Sequence, residues 1–172
     1  MCFWLLMNLW SGIALPASSY QDGGATTRHN ALASQMAAKQ YPLCCGLRAT
    51  VKGRAVLITN AKGVVVAQNK QLIRLADEHT DCPSEGFERL VSKGNYFTIE
   101  QQNCGGWFFI NEYITFYYVP GTGKIELHKV SFSFTDRREP DKTIPDKVFT
   151  KKQFGQRDFS RVTLDSLELL NR

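Results

Sequence analysis

From Leu47 onward the chain alternates apolar and polar residues with the period of β-strands. "LRATV" (47–51) and "RAVLIT" (54–59) are separated by Lys52-Gly53. "GVVVAQ" (63–68) follows across "NAKG", where a glycine can supply the positive φ of a tight turn. These runs predict a hairpin or meander. "LIRLAD" (72–77) is a further candidate strand, and "EHTDCPSEG" (78–86) is a loop by composition. "FERLVS" (87–92) and "NYFTIEQQ" (95–102) flank Lys93-Gly94 as a second tight hairpin.

The densest aromatic stretch is "NCGGWFFINEYITFYY" (103–118). Its even positions, Phe108, Ile110, Glu112, Ile114, Phe116 and Tyr118, are apolar except for Glu112 and predict a core face. Its odd positions, Trp107, Phe109, Asn111, Tyr113, Thr115 and Tyr117, mix aromatic and hydrogen-bonding groups and predict an amphipathic face. After the turn "VPGTGK" (119–124), "IELHKVSFSFT" (125–135) runs back. Its apolar residues switch parity between Leu127 and Val130, which predicts a β-bulge near His128–Lys129.

The flanks read differently. Residues 20–29 form a polar linker, and "NALASQMAAKQ" (30–40) predicts a short helix capped by Asn30 and stopped by Pro42 and Gly46. "PDKTIPDK" within 136–149 fits a proline-punctuated loop or edge segment. "TKKQ" (150–153) matches a capping box, but Gly155 leaves room for only about one helical turn. "SRVTL" (160–164) is a candidate last strand, and "DSLELLNR" (165–172) a terminal helix capped by Asp165 or Thr163. The fold class expected is mainly β: an antiparallel meander or sandwich, or a partly open barrel, with short N- and C-terminal helices. Residues 44–172 would form one β-rich domain, preceded by a linker and helix over 20–43.

Composition places this domain in a compartment. The 172 residues are 43% hydrophobic and 22% charged, an ordinary globular balance. The net charge of +5 is modest. No Lys/Arg block is interleaved with aromatics, so nucleic acid is not an expected partner. Residues 1–19 carry no charge, and "FWLLMNLW" is too short to span a bilayer. Ala17 and Ser19 precede Tyr20 as small residues do at a cleavage site, so 1–19 reads as a signal peptide. Its first residues lack Lys and Arg, as a misassigned start would leave them. The mature chain would have no integral membrane segment and would be periplasmic or secreted.

Of the five cysteines, Cys2 falls in that leader, leaving Cys44, Cys45, Cys82 and Cys104. An even number in an exported chain favours disulfides. Cys82 and Cys104 each end a loop beside a predicted strand and form the preferred pair. Cys44 and Cys45 are adjacent. Strand neighbours point to opposite faces, so different partners, or only one bond, would suit them.

Catalytic and metal signatures are weak. "QQNCGGW" has a Gln before and a Trp after Cys104, as papain-like proteases do, but Gly-Gly and a strand follow where a helix should activate the thiol. His29, His79 and His128 are far apart, no Cys-x-x-Cys occurs, and "GTGK" lacks the P-loop pattern. No metal or cofactor is implied. Glu100 and Glu112 would approach each other if 95–102 and 107–118 pair, which is the one carboxylate arrangement that suits a hydrolase. Trp107, Tyr113, Tyr117 and Asn111 are the candidate partner-binding residues, because aromatic groups with polar handles suit protein or glycan surfaces.

The segments "GNYFTIEQQNCGGWFFINEYITFYY", "KIELHKVSFSF" and "DKVFTKKQFGQRDF" resemble a group of small exported proteins of Gram-negative bacteria. The resemblance spans roughly residues 54–160 and rests on sheet residues. It implies a periplasmic or surface β-domain. Some members of that group carry a calcium-type loop before the first hairpin. Here "TVKGRAVLIT" stands in its place, so neither calcium nor any functional residue carries over. The function expected is a non-enzymatic binding domain for a protein or glycan, such as an inhibitor or immunity-type protein. A hydrolase using a sheet carboxylate and a structural envelope protein are the alternatives.

Overall fold

The computed structural model describes residues 39–76, 82–83 and 85–171. Among them the fold is mainly β. One sheet has the order β1 (Gln40–Pro42), β2 (Arg48–Lys52), β3 (Ala55–Thr59), β4 (Val65–Asn69). The second has β5 (Gly86–Lys93), β6 (Tyr96–Gly105), β7 (Phe108–Tyr118), β8 (Ile125–Asp136), β9 (Lys147–Thr150). Every pairing is antiparallel between sequence neighbours, so each sheet is an open meander. Two short helices follow, α1 (Lys151–Phe154) and α2 (Leu164–Asn171).

Alternation explains the core. Ala49, Val56 and Ile58 from the first sheet join Phe97, Ile99, Ile110, Ile114, Phe116, Val130 and Phe132 from the second in one hydrophobic cluster. Leu164 and Leu167 of α2 complete it. Phe116 stacks on Phe97 at 5.2 Å between centroids, and Phe159 meets Phe116 edge-on at 5.1 Å. The parity switch in β8 is a bulge. Thr115 pairs with Lys129 and Phe116 with Leu127, so His128 has no partner across the ladder. That extra residue lets Ile125, Leu127, Val130 and Phe132 all be buried.

Both helical ends follow their caps. The Thr150 amide donates to Gln153 Oε1 at 2.8 Å, and Gly155 at φ 71° ends α1 after one turn. Of the two candidate caps of α2, Thr163 is used: its Oγ1 accepts from the Ser166 amide at 3.2 Å.

Three segments depart from the expected pattern. The expected signal peptide over 1–19, the expected linker and residues 30–38 of the expected helix lie outside the described residues, but Gln40 already pairs with Thr50 in β1. Tyr41 is buried there against Phe87, 6.1 Å away, which draws this stretch into the sheet. Residues 72–76 form no strand, although Leu72 and Ile73 are fully buried. Their amides donate to the Arg54 carbonyl, and the Arg74 amide donates to Gln101 Oε1, so no ladder forms. Residues 160–164 are also not a strand. Phe159–Arg161 is a 3₁₀ turn whose Phe159 carbonyl, with that of Val162, accepts from Asn69 Nδ2 at 2.5 and 2.7 Å. The proline-punctuated stretch does meet its expectation as a loop or edge segment: it ends in β9, an edge strand paired with residues 129–132 of β8.

Candidate binding surface

The β6–β7 register sets what each sheet face presents. Glu112 pairs with Gln101 and faces the core, whereas Glu100 pairs with Tyr113 and faces outward. The two carboxylates are therefore on opposite faces and do not form an acid–base pair. Glu100 is held by Arg89 Nε at 2.7 Å. Glu112 is 1% exposed. Its Oε2 accepts from Gln101 Nε2 at 2.8 Å and lies 3.7 Å from Arg74 Nη2, which itself donates to Glu168 Oε1 at 2.8 Å. Glu112 Oε1 has no protein partner. Burial, only partly offset by Gln101 and Arg74, raises this carboxyl above the usual glutamate range.

The outer face of the second sheet carries cross-strand pairs of polar groups. Thr98 and Thr115 hydroxyls meet at 3.0 Å, Gln102 Nε2 donates to Asn111 Oδ1 at 3.0 Å, and Asn111 Nδ2 reaches Ser133 Oγ at 3.4 Å. At the β5–β6 turn the face becomes aromatic. Tyr96 lies 4.8 Å from Tyr117 with the rings tilted by 40°, and 4.9 Å from the His128 ring. Tyr96 is 40% exposed. Lys93, Gly94, Asn95, Tyr96 and Tyr117 line a groove of about 580 Å³. Gly94, at φ 57°, makes the tight turn that sets Lys93 and Asn95 at its rim. His128 is the bulge residue. Burial, then Lys129 and Lys151, lower its pKa, so it is a neutral imidazole at neutral pH, able both to donate and to accept.

The four residues expected to share one binding surface are divided. Asn111, Tyr113 and Tyr117 do lie on the outer face. Trp107 does not. It occupies the two-residue Gly106-Trp107 turn between β6 and β7, because the ladder closes at Gly105–Phe108. Ten residue steps separate it from Tyr117, roughly 34 Å at about 3.4 Å per residue. Trp107 is 59% exposed and lies under the Arg138 guanidinium, 5.4 Å from the ring centre. Asp136 fixes that guanidinium through Oδ2 at 3.0 Å and Oδ1 at 3.2 Å. The hydrogen bonds from Arg138 bring Asp136 down to about 2.

Tyr96, Lys93 and His128 escaped selection as site residues because only the register reveals them beside Tyr117. The parity break at His128 was the available signal. Cys82 and Cys104 form the preferred disulfide, with sulfurs 2.09 Å apart. Cys44 and Cys45 are both free and lie in a 3₁₀ turn, not on a strand. His29 and His79 lie outside the described residues. Among the described residues no three metal-ligating side chains cluster, and no helix is long and apolar enough to cross a membrane. Comparison with protein-family models, curated proteins and solved structures finds no match to this chain.

Proposed function

We propose that this chain is an exported, non-enzymatic binding domain that holds a glycan in the groove beside Tyr96 and Tyr117. The observation that carries this reading is the exposed Tyr96 ring tilted onto Tyr117, with Lys93 and Asn95 at the groove's rim and a neutral His128 alongside. A sugar offers a C–H face for stacking on an aromatic ring and a rim of hydroxyls for donors and acceptors. The polar, half-buried face beyond it, with Thr98, Thr115, Asn111 and Tyr113, extends the same chemistry along the sheet. Export is supported by the leader-like residues 1–19, by the resemblance to exported β-domains and by the Cys82–Cys104 bridge, since disulfides persist in oxidising compartments.

A protein partner, as an inhibitor or immunity protein would have, is the second reading. The exposed Trp107 under Arg138 favours it, because Trp and Arg dominate protein-interface energetics. Titration calorimetry against envelope and extracellular polysaccharides distinguishes the two. Tyr96→Ala and Tyr117→Ala should each weaken glycan binding by about tenfold or more, in line with an aromatic contact of about 1.5 kcal/mol. Trp107→Ala should leave it unchanged. Full binding by both tyrosine variants overturns the groove. Loss confined to Trp107→Ala moves the site to the β6–β7 tip. Turnover abolished by Glu112→Gln in a folded protein would revive the hydrolase.

A further inference from the structure

The loop from β1 to β2 places two free thiols side by side at an exposed tip. The Leu43 amide donates to the Leu47 carbonyl at 2.9 Å, and the Leu47 amide to the Cys44 carbonyl at 3.0 Å. Cys44-Cys45-Gly46 is thereby pinched into a three-residue loop. Cys45 has φ 60° and ψ 28°, the one positive φ at a non-glycine among the described residues. An L-residue with a Cβ avoids this region, and held outliers of this kind concentrate at functional positions. The conformation also removes the strand geometry that would have sent the two side chains to opposite faces. Cys45 is exposed and Cys44 half-buried, while Cys82 and Cys104 are bonded to each other.

We propose that Cys44–Cys45 is a thiol–disulfide exchange site, closing to a disulfide within the turn when it meets a low-molecular-weight disulfide and reopening with a dithiol. The exposed Cys45 thiolate attacks one sulfur of the disulfide RSSR and expels RS⁻, leaving a mixed disulfide on Cys45. The Cys44 thiolate then attacks Cys45 Sγ and expels the second RS⁻. The two protein thiols lose two electrons and two protons, and RSSR becomes two RSH. The order follows from the surroundings. Burial first, then the hydrogen bond with Cys45 and its charge, push Cys44 up to about 11. The exposed Cys45 therefore meets the disulfide first, and capping it removes the hydrogen bond and charge that add to burial in holding Cys44 up.

The closed form is built to reopen. The Cys44–Cys45 peptide is trans, because no cis peptide occurs among the described residues. Consecutive trans Cα atoms are about 3.8 Å apart. Disulfides favour roughly 4.4–6.8 Å, so the ring is strained and easily reduced.

Trypsin isolates the pair in one peptide, residues 40–48, between Lys39 and Arg48. The full chain is incubated with glutathione disulfide, alkylated with iodoacetamide, digested and weighed. The expected peptide is lighter than the dithiol by two hydrogens, carries no alkyl group and no glutathione, and returns to the dialkylated form after prior dithiothreitol. Cys44→Ser should trap glutathione on Cys45, extending the adduct's lifetime by about tenfold or more. Cys45→Ser should slow adduct formation by a similar factor. A wild-type peptide still alkylated at both sulfurs, a lasting glutathione adduct, or a Cys45-linked dimer overturns the proposal.

Discussion

Glu112 and Asp136 are both buried carboxyls, and their surroundings push them in opposite directions. Glu112 is raised by burial, so the folded state prefers it protonated. Its contribution to stability is fully present below the ordinary glutamate value and is lost as pH rises through the raised folded value. Asp136 is lowered to about 2 by its hydrogen bonds from Arg138. Its contribution is present above the ordinary value of 3.8 and is lost as pH falls through about 2. Urea unfolding over a pH series should therefore separate two variants. Glu112→Gln should match the wild type in acid and become the more stable protein as pH rises. Asp136→Asn should be the less stable protein at neutral pH and converge with the wild type in strong acid. The reverse divergence in either series contradicts these environments. At this scale the sequence was partly legible. Glu112 stood out because it interrupted an apolar parity. Its neighbours Arg74, Gln101 and Glu168 did not, because three distant segments bring them together and no local pattern records that.

Elements were most legible where period and turn chemistry agreed. The β5–β6 hairpin around Lys93-Gly94 and the capping box at Thr150 were readable in this way. Segments 72–76 and 160–164 were not, because apolar residues can be buried in irregular chain or a 3₁₀ turn whose hydrogen bonds go to loops and side chains. Trp107 failed for a related reason: two glycines left the hairpin closure ambiguous by a residue or two, and a shift of that size takes it off the strand. The His128 bulge gives the sharpest test of register. Deleting His128 forces either Ile125 and Leu127 or Val130 and Phe132 away from the core. Losing two such buried side chains should cost roughly 3–6 kcal/mol in chemical denaturation. His128→Ala keeps the residue count and should cost under about 1 kcal/mol. Equal losses from the two changes would mean that the imidazole, not the inserted backbone, sets the parity.

For the whole molecule, alternation revealed an amphipathic face and a core face, and the cysteines a preferred bridge, while the pairing of residues around the groove came only from register. The bridge and the groove lie at opposite ends of β6. Cys104 is eight residues from Tyr96, roughly 27 Å along an extended strand. The Cys82–Cys104 bond spans 22 residues, a loop that takes in β5 and most of β6. In the chain-entropy account, closing a loop of that length stabilises the fold by about 3 kcal/mol, acting on the unfolded state. Replacing both cysteines by serine should lower the unfolding free energy by about that amount. It should change the denaturant slope, because a chain without the crosslink unfolds to a more open ensemble. Glycan binding measured well below the new midpoint should be unchanged, since the Tyr96–Tyr117 pair is held by the β5–β6 turn and the β7 ladder, not by the bridge. Loss of binding in a variant that remains folded would show that the disulfide end of the sheet takes part in the site.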